Sequence, residues 1–202
     1  MSSMKVLGIY GSPRKGGNTD ILLDKVLEGA RSAGAEVTSI YVRDLKIAGC
    51  RECGGCDKTG KCVVKDDMQT VYPLLEAADV IFLASPVFFY GISSQAKALI
   101  DRCQAMWSKR MLERTPDERK TYDNGKGYLI AVGATRGKNL FEGVQLTARY
   151  FFDALDMSYE GGSFFRRIDR KAAIMDHPEA LKEAFDLGVS AVSQSLGNPL
   201  VE

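Results

Sequence analysis

The chain has 202 residues, 45% of them hydrophobic, and a formal net charge of +1. This length and hydrophobic content suit one domain with a sizeable core, and the near-zero charge gives no support for binding to nucleic acid or an anionic membrane. The sequence shows no apolar leader and no run near the roughly 18 apolar residues of a membrane span, so we expect a cytoplasmic protein.

The first part of the chain has the pattern of a strand, a helix and a second strand. Residues 6–10 are short and apolar, which is typical of a buried parallel strand. A Gly-rich turn leads into a helix over residues 19–33, which Gly34 ends. Residues 36–41 alternate in polarity and form the second strand. The expected buried face of the helix consists of Ile21, Leu22, Lys25, Val26 and Gly29.

The rest of the chain continues this alternation and contains two irregular segments, a Cys-rich loop at 48–65 and a polar insertion at 108–126. The further predicted elements are a helix ending near residue 78, strands at 80–85, 127–132 and within 156–165, and helices at 93–107, 139–155 and 178–196. The expected buried face of the helix at 93–107 consists of Ala96, Leu99, Ile100, Cys103 and Trp107. The alternation indicates one parallel α/β sheet, in a single domain over residues 1–202.

The Gly-rich turn at residues 11–20 predicts an anion site, because it joins a strand to the start of a helix. The N–H groups of a first helical turn and the positive end of the helix dipole attract a phosphate. Short polar side chains and two basic ones add to these donors: Ser12, Arg14, Lys15, Asn18 and Thr19. A capped loop without a ligand is the alternative.

Two familiar phosphate loops do not match this turn. A Walker loop needs Lys-Ser or Lys-Thr after its last glycine, whereas Gly16 is followed by Gly17 and Asn18. The dinucleotide fingerprint needs Gly-x-Gly, whereas Gly11 is followed by Ser12. The turn therefore indicates a different kind of phosphate site.

Four cysteines with C-x2-C-x2-C-x5-C spacing form a second candidate site: Cys50, Cys53, Cys56 and Cys62. Four thiolates within thirteen residues can enclose one iron–sulfur cluster or one metal ion. A zinc site usually shows two separated C-x2-C pairs, and this spacing is tighter. Disulfides or free thiols are the alternative, and Cys103 is expected to be a core residue.

The Gly-Ser-x-Arg-x-x-Gly-Asn-Thr turn resembles the phosphate loop of the NADPH-dependent FMN reductases, and residues 85–91 resemble the stretch beside their flavin ring, with Phe88 where Tyr is frequent. This resemblance implies a flavodoxin-like, doubly wound, five-stranded parallel sheet of order 2-1-3-4-5, with FMN at the carboxyl ends of the strands. The cysteine motif resembles that of the iron–sulfur flavoproteins, a branch of the same group. It implies a 4Fe–4S cluster on the four cysteines.

The resemblance implies a full set of FMN contacts. The residues expected to bind the phosphate are Ser12, Arg14, Gly17, Asn18 and Thr19, and those expected near the ring are Pro86, Val87, Phe88, Phe89, Gly133 and Ala134. Arg136 either neutralises a bound anion or stays solvated. Lys97, Asp101 and Arg102 are expected to be structural, and His177 to be a surface residue. We expect no catalytic side chain, because the cofactor carries the hard chemistry.

These features predict an FMN-binding oxidoreductase of the iron–sulfur flavoprotein kind, which exchanges electrons with NAD(P)H, another small molecule or a ferredoxin-like partner. The first alternative is a cluster-free NAD(P)H-dependent FMN or quinone reductase. The second is a non-enzymatic flavodoxin-like carrier or zinc-binding module, although the near-zero net charge argues against a simple docking carrier. The family resemblance also implies a homodimer or homotetramer.

Overall fold

Five short strands form one sheet in the computed structural model, which describes residues 3–196; the outermost residues of the predicted domain, 1–2 and 197–202, lie outside it. The strands are β1 (Lys5–Tyr10), β2 (Glu36–Tyr41), β3 (Val80–Pro86), β4 (Lys126–Gly133) and β5 (Ser158–Arg166). All neighbours pair in parallel in the order 2-1-3-4-5, which confirms the predicted fold. The predicted limits of the single domain stay a prediction.

Within the described residues, six α-helices cover the two faces of the sheet: α1 (Asn18–Ser32), α2 (Met68–Ala77), α3 (Ser94–Arg102), α4 (Gln104–Glu113), α5 (Glu142–Ala154) and α6 (Pro178–Leu196). Successive strand residues point to opposite faces, so Val6 and Tyr10 pack with α1 and α6. Leu7 and Ile9 pack on the other face with α2, α3 and α5. No helix within residues 3–196 is long and apolar enough to cross a membrane.

The prediction of one helix over residues 93–107 was wrong, because two helices meet at Cys103. The Cys103 N–H donates to Ile100 O at 2.9 Å, a tight three-residue turn that changes the direction of the chain. Trp107 is consequently 41% exposed rather than buried, and Ile100 is half-buried. The other three predicted face residues are buried: Ala96, Leu99 and Cys103.

Helix α4 extends into the polar insertion, which buried ion pairs fix to the end of α5. Arg110 lies 2.9 Å from Asp153 Oδ1 and 2.9 Å from Asp156 Oδ1. Arg114 reaches the second oxygen of Asp156 at 2.5 Å. The insertion is therefore partly helical and anchored, although its tip at residues 115–124 is largely exposed.

Helix α1 is buried more widely than predicted, because both the sheet and α6 cover it. Leu22, Val26 and Gly29 are buried as expected, but Ile21 and Lys25 are only half-buried. The additional buried apolar residues are Leu23, Leu27 and Ala30. Gly29 faces α6 so closely that a Cβ there would lie 2.1 Å from the Phe185 carbonyl oxygen.

Candidate functional site

A cavity of about 190 Å³ opens at the carboxyl edge of the sheet, between the loops that follow β1, β3, β4 and β5. It lies where a doubly wound sheet usually binds its ligand. The predicted FMN residues that line it are Ser12, Arg14, Gly17, Asn18, Thr19, Pro86, Val87, Phe88 and Ala134. Gly133 is buried beneath this cavity's wall residues Val132 and Ala134, and Phe89 points into solvent, so neither lines it.

The turn after β1 presents the start of α1 to the cavity. Helical hydrogen bonding begins with the Ile21 N–H, which donates to Gly17 O at 3.1 Å. The N–H groups of the preceding helical turn therefore have no carbonyl partner within the helix. The Ser12 hydroxyl accepts the Arg14 N–H at 3.1 Å and shapes the turn. These donors, with the exposed Arg14 beside them, fit a phosphate group.

A buried ion pair supports this turn from behind. Asp20 Oδ2 accepts the Gly16 N–H at 3.0 Å and pairs with Arg43 at 2.9 Å. The same guanidinium donates to Ser12 O at 3.1 Å. Burial raises the pKa of Asp20, while the Gly16 N–H and Arg43 oppose that rise. Arg43 follows β2 in the chain, and no local pattern marked it as a support for the turn.

Asn18 lines the cavity, but its side-chain amide binds another loop. Its Nδ2 donates to Arg170 O at 2.9 Å, and its Oδ1 accepts the Ile174 N–H at 3.1 Å. The segment it fixes follows β5 and contributes Ile168 and Asp169 to the wall of the cavity. Neither wall residue was identified from the sequence, because no local motif marks them.

Two buried hydroxyls join the turn after β1 to the loop after β3. Ser93 caps α3 by accepting the Ala96 N–H at 3.3 Å, and its Oγ donates to Gly11 O at 2.5 Å. Ser85 Oγ accepts the Ser93 N–H at 3.1 Å. Both residues are fully buried, so these hydrogen bonds hold the two walls of the cavity in a fixed relation.

We expect Ser93→Ala to lower the free energy of unfolding by about 2 kcal/mol, because it removes a helix cap and leaves Gly11 O without its buried donor. Thermal unfolding should fall by roughly 5 °C for a chain of this size. Ser94→Ala is the matched control, because its exposed hydroxyl contacts only Gln95. Equal melting temperatures for the two variants would contradict the role given to Ser93.

The loop after β3 ends in a tight hairpin of aromatic residues. Phe88 and Gly91 exchange both backbone hydrogen bonds, at 3.0 and 2.9 Å. The two residues at the tip, Phe89 and Tyr90, have φ angles of 49° and 62°. Such angles cost about 1–3 kcal/mol for each residue and persist only where the surrounding structure enforces them, which here includes the two Phe88–Gly91 bonds. Tyr90 packs against Gly137, and Phe89 is left fully exposed beside the cavity.

A second cavity of about 640 Å³ contains all four motif cysteines in its wall: Cys50, Cys53, Cys56 and Cys62. The thiols are spread around that wall, and within residues 3–196 no three thiol, imidazole or carboxylate groups are arranged to hold one metal ion. The donor set still fits a cluster in its chemistry, because one cavity collects four thiols, the ligands that iron–sulfur clusters use, although Glu52, Asp57 and Asp101 also line it. Cys103 is buried outside this wall, and burial raises the pKa of its thiol.

Side chains from the α3 and α4 segment contact two of the four thiols. Burial by itself would raise the pKa of Cys62, but the Val64 N–H and the Arg102 guanidinium outweigh that effect and lower it. The buried Ser108 hydroxyl lies 3.6 Å from Cys56 Sγ. A lowered thiol pKa fits a ligand that binds as a thiolate.

Comparisons with known proteins identify the family to which the chain is similar. The family model described as NADPH-dependent FMN reductase matches residues 4–165. An iron–sulfur flavoprotein of Archaeoglobus fulgidus is 42% identical over 49% of this chain and 45% of its own length. Another from the same organism is 34% identical over 88% of this chain and 87% of its own. The chain thus spans less than half of the first relative and most of the second.

Solved structures agree on the fold. A flavone reductase superposes with a TM-score of 0.70 over 96% of this chain and 64% of its own, at 20% sequence identity. That identity supports the shared architecture alone.

Proposed function

The chain belongs to the NADPH-dependent FMN reductase family and to its iron–sulfur flavoprotein branch, and from that membership we propose that it is an FMN-dependent oxidoreductase. One observation carries the proposal for its site. The phosphate-type turn after β1 and the loop at Pro86 to Phe88 line the same cavity, at the edge where parallel sheets bind nucleotides.

Different residues around this cavity bind different parts of FMN. The first-turn N–H groups of α1 and Arg14 hold the phosphate, and Asp20 with Arg43 keeps the turn in shape. Pro86, Val87 and Phe88 supply an apolar wall for the flat ring, and Ala134 lies in the same cavity. FMN, when bound, supplies one- and two-electron chemistry, so the protein's task is binding, orientation and exclusion of water.

We further assign the four cysteines to a 4Fe–4S cluster. The support is that Cys50, Cys53, Cys56 and Cys62 line one cavity and that a relative named iron–sulfur flavoprotein matches 88% of this chain. Their thiolates would hold the cluster, which supplies one-electron transfer when bound.

Exposed basic side chains on the loops at the carboxyl edge support an anionic electron donor. They end β5 or follow β1, β4 and β5, where they outnumber the exposed carboxylates of Asp169 and Asp176: Arg14, Lys15, Arg136, Lys138, Arg166, Arg167, Arg170 and Lys171. The net charge of the whole chain is near zero and does not reveal this local excess of positive charge. The net charge is therefore a weaker argument against a docked partner than the sequence indicated. A phosphate-bearing nicotinamide nucleotide and an acidic carrier protein both fit the edge electrostatically.

We also propose a homo-oligomer that covers exposed apolar side chains. Phe88 and Phe89 are neighbours in the loop after β3, the first partly and the second fully exposed, and the partly exposed Trp107 lies apart from them, in the wall of a separate cavity with Leu146 and Tyr150. Exposed large apolar side chains of this kind favour association. Sedimentation of the purified protein measures the assembly, and a monomer at all concentrations would contradict it.

Anaerobic purification followed by FMN, iron and acid-labile sulfide analysis tests the proposed function. The expected result is one FMN with four iron and four sulfide per chain, as a 4Fe–4S cluster requires. Cys53→Ala should lose iron and keep FMN, because the two cavities are separate. Cys103→Ala is the matched control and should keep both, because Cys103 is buried outside the cysteine cavity.

Other results would favour the alternatives. FMN without iron, together with oxidation of NADPH or NADH, would indicate the cluster-free reductase. FMN without turnover of either nucleotide would indicate an electron carrier. Stoichiometric zinc in a colourless protein would contradict the flavin assignment altogether.

A further inference from the structure

Arg102 is the last residue of α3 and one of the most deeply buried side chains in the described part of the chain, with 1% exposure. It forms part of the wall of the cysteine cavity. A buried guanidinium is costly unless its donors and its charge are matched, so its contacts indicate what it does.

The acceptors of Arg102 lie at both ends of the cysteine loop. Its Nη1 donates to Ala48 O at 2.9 Å and to Asp66 Oδ2 at 2.6 Å, and its Nη2 donates to Val64 O at 3.2 Å. Ala48 precedes the first motif cysteine by two residues, and Val64 follows the last by two. One planar side chain therefore joins the two stems of the loop, which a lysine cannot do with a single nitrogen.

Neighbouring bonds show that Arg102 is the centre of this junction. Asp66 Oδ2 also accepts the Ala48 N–H at 2.9 Å, so the carboxylate and the guanidinium bind the same stem together. The Tyr72 hydroxyl donates to the Arg102 carbonyl oxygen at 2.8 Å. The loop between the stems contains no helix or strand, and these bonds restrain its base together with a pair of bonds between Lys46 and Asp67.

The charge of Arg102 is directed at the cavity as well as at the stems. The guanidinium belongs to the residue that lines the same cavity as Cys62, and its buried Nε has no hydrogen-bond partner within the described residues. Asp66 is the one carboxylate paired with it there, and that side chain is 14% exposed. A fixed positive charge and a donor beside a ligating sulfur both favour the reduced, more negative state of a cluster.

We propose that Arg102 is the positioning residue of the cysteine loop: it closes the stems before a cluster is inserted, and its buried charge raises the cluster's reduction potential. The second half, the effect on the reduction potential, rests on the proposed function, because it needs the 4Fe–4S cluster. The first half concerns the protein without any cluster and is tested separately.

The first test measures amide hydrogen exchange of residues 46–68 in the cluster-free protein. Arg102→Lys keeps the charge but not the three-way bridge, so the stems should exchange at least tenfold faster. Arg110→Lys is the matched control, because Arg110 is also buried but binds Asp153 and Asp156 away from the cysteines. Faster exchange confined to the loop supports the proposal, and equal exchange in both variants overturns its first half.

The second test measures the midpoint potential of the cluster in reconstituted protein by titration followed with electron paramagnetic resonance. Arg102→Gln should disfavour one-electron reduction about tenfold, which is a shift of about 59 mV to lower potential. Ser108→Ala removes a neutral contact to Cys56 and should shift the potential less. An unchanged potential in Arg102→Gln protein with full iron and FMN overturns the tuning role.

The two proposals fail in different ways. If the wild-type protein binds no iron, both the cluster assignment and the tuning role of Arg102 are contradicted. Amide hydrogen exchange of the loop in the cluster-free protein still tests the positioning role. FMN content should be unchanged in both Arg102 variants, since Arg102 does not line the FMN cavity. Loss of FMN from them would contradict a role confined to the cysteine loop.

Discussion

Gly188→Ala is expected to unfold roughly 9 °C below the wild-type protein, which corresponds to a net loss of about 3 kcal/mol. A Cβ at this position in α6 would lie 1.9 Å from the Val26 carbonyl oxygen of α1. The nearest atoms are backbone, so no side chain can rotate away and the helices must separate. We estimate that cost at about 4 kcal/mol, above the usual range for overpacking, against a gain of about 1 kcal/mol in helix propensity.

Calorimetry of three further variants tests the close contact between α1 and α6. Gly29→Ala should have a similar effect from the other side of the crossing, where Phe185 O would lie 2.1 Å from the new Cβ. The double variant should lose less than the sum, because one separation of the helices relieves both clashes. Glu28→Ala is the exposed neighbour on α1 and should leave the melting temperature nearly unchanged. A Gly188→Ala protein as stable as Glu28→Ala would contradict the close crossing.

Asn18→Ala is expected to weaken FMN binding about 30-fold, or about 2 kcal/mol. The effect is indirect, because the Asn18 amide binds Arg170 O and the Ile174 N–H rather than a site inside the cavity. Without it, both backbone groups lose a partner and the wall at Ile168 and Asp169 loosens. Quenching of FMN fluorescence by apoprotein measures the dissociation constant.

Two control variants separate loop support from general damage. Asn18→Asp keeps an acceptor for Ile174 but loses the donor to Arg170 and adds charge near the phosphate site, so it should also bind FMN weakly. Asn124→Ala removes an amide that binds Leu155 O at 3.2 Å, outside the FMN cavity, and should bind FMN normally. FMN affinity within twofold of wild type in Asn18→Ala would show that this amide does not hold the wall.

The strands, and the turn after β1 that lines a cavity, were predictable because local patterns encode them. Residues 36–41 and 178–196 were predicted with the observed limits, since alternation and a proline at the helix start mark them. The strand order and the FMN assignment came from resemblance, and the sheet order is confirmed. The residue types of the turn at 11–20 indicated an anion site because the donors are adjacent in sequence.

The features that sequence reasoning missed depend on contacts between distant residues. The apolar pattern at 93–107 continues through Cys103, so the break between α3 and α4 has no local signal. Arg102 was expected to be structural, but nothing in the sequence paired it with Ala48 and Val64. Arg43 under the turn and Ser93 beneath Gly11 were missed for the same reason.

The bonds of Asn18 also set the order in which the flavin cavity is completed during synthesis. These bonds connect the turn after β1 to the segment after β5, and the bonded residues are separated by 152 and 156 positions in the sequence. A nascent chain that consists only of β1 to β4 therefore contains the phosphate turn but not the wall at Ile168 and Asp169 that Asn18 fixes. Nascent chains stalled before residue 170 should capture FMN poorly, so flavin insertion is an event of the nearly finished chain rather than a template for its early folding.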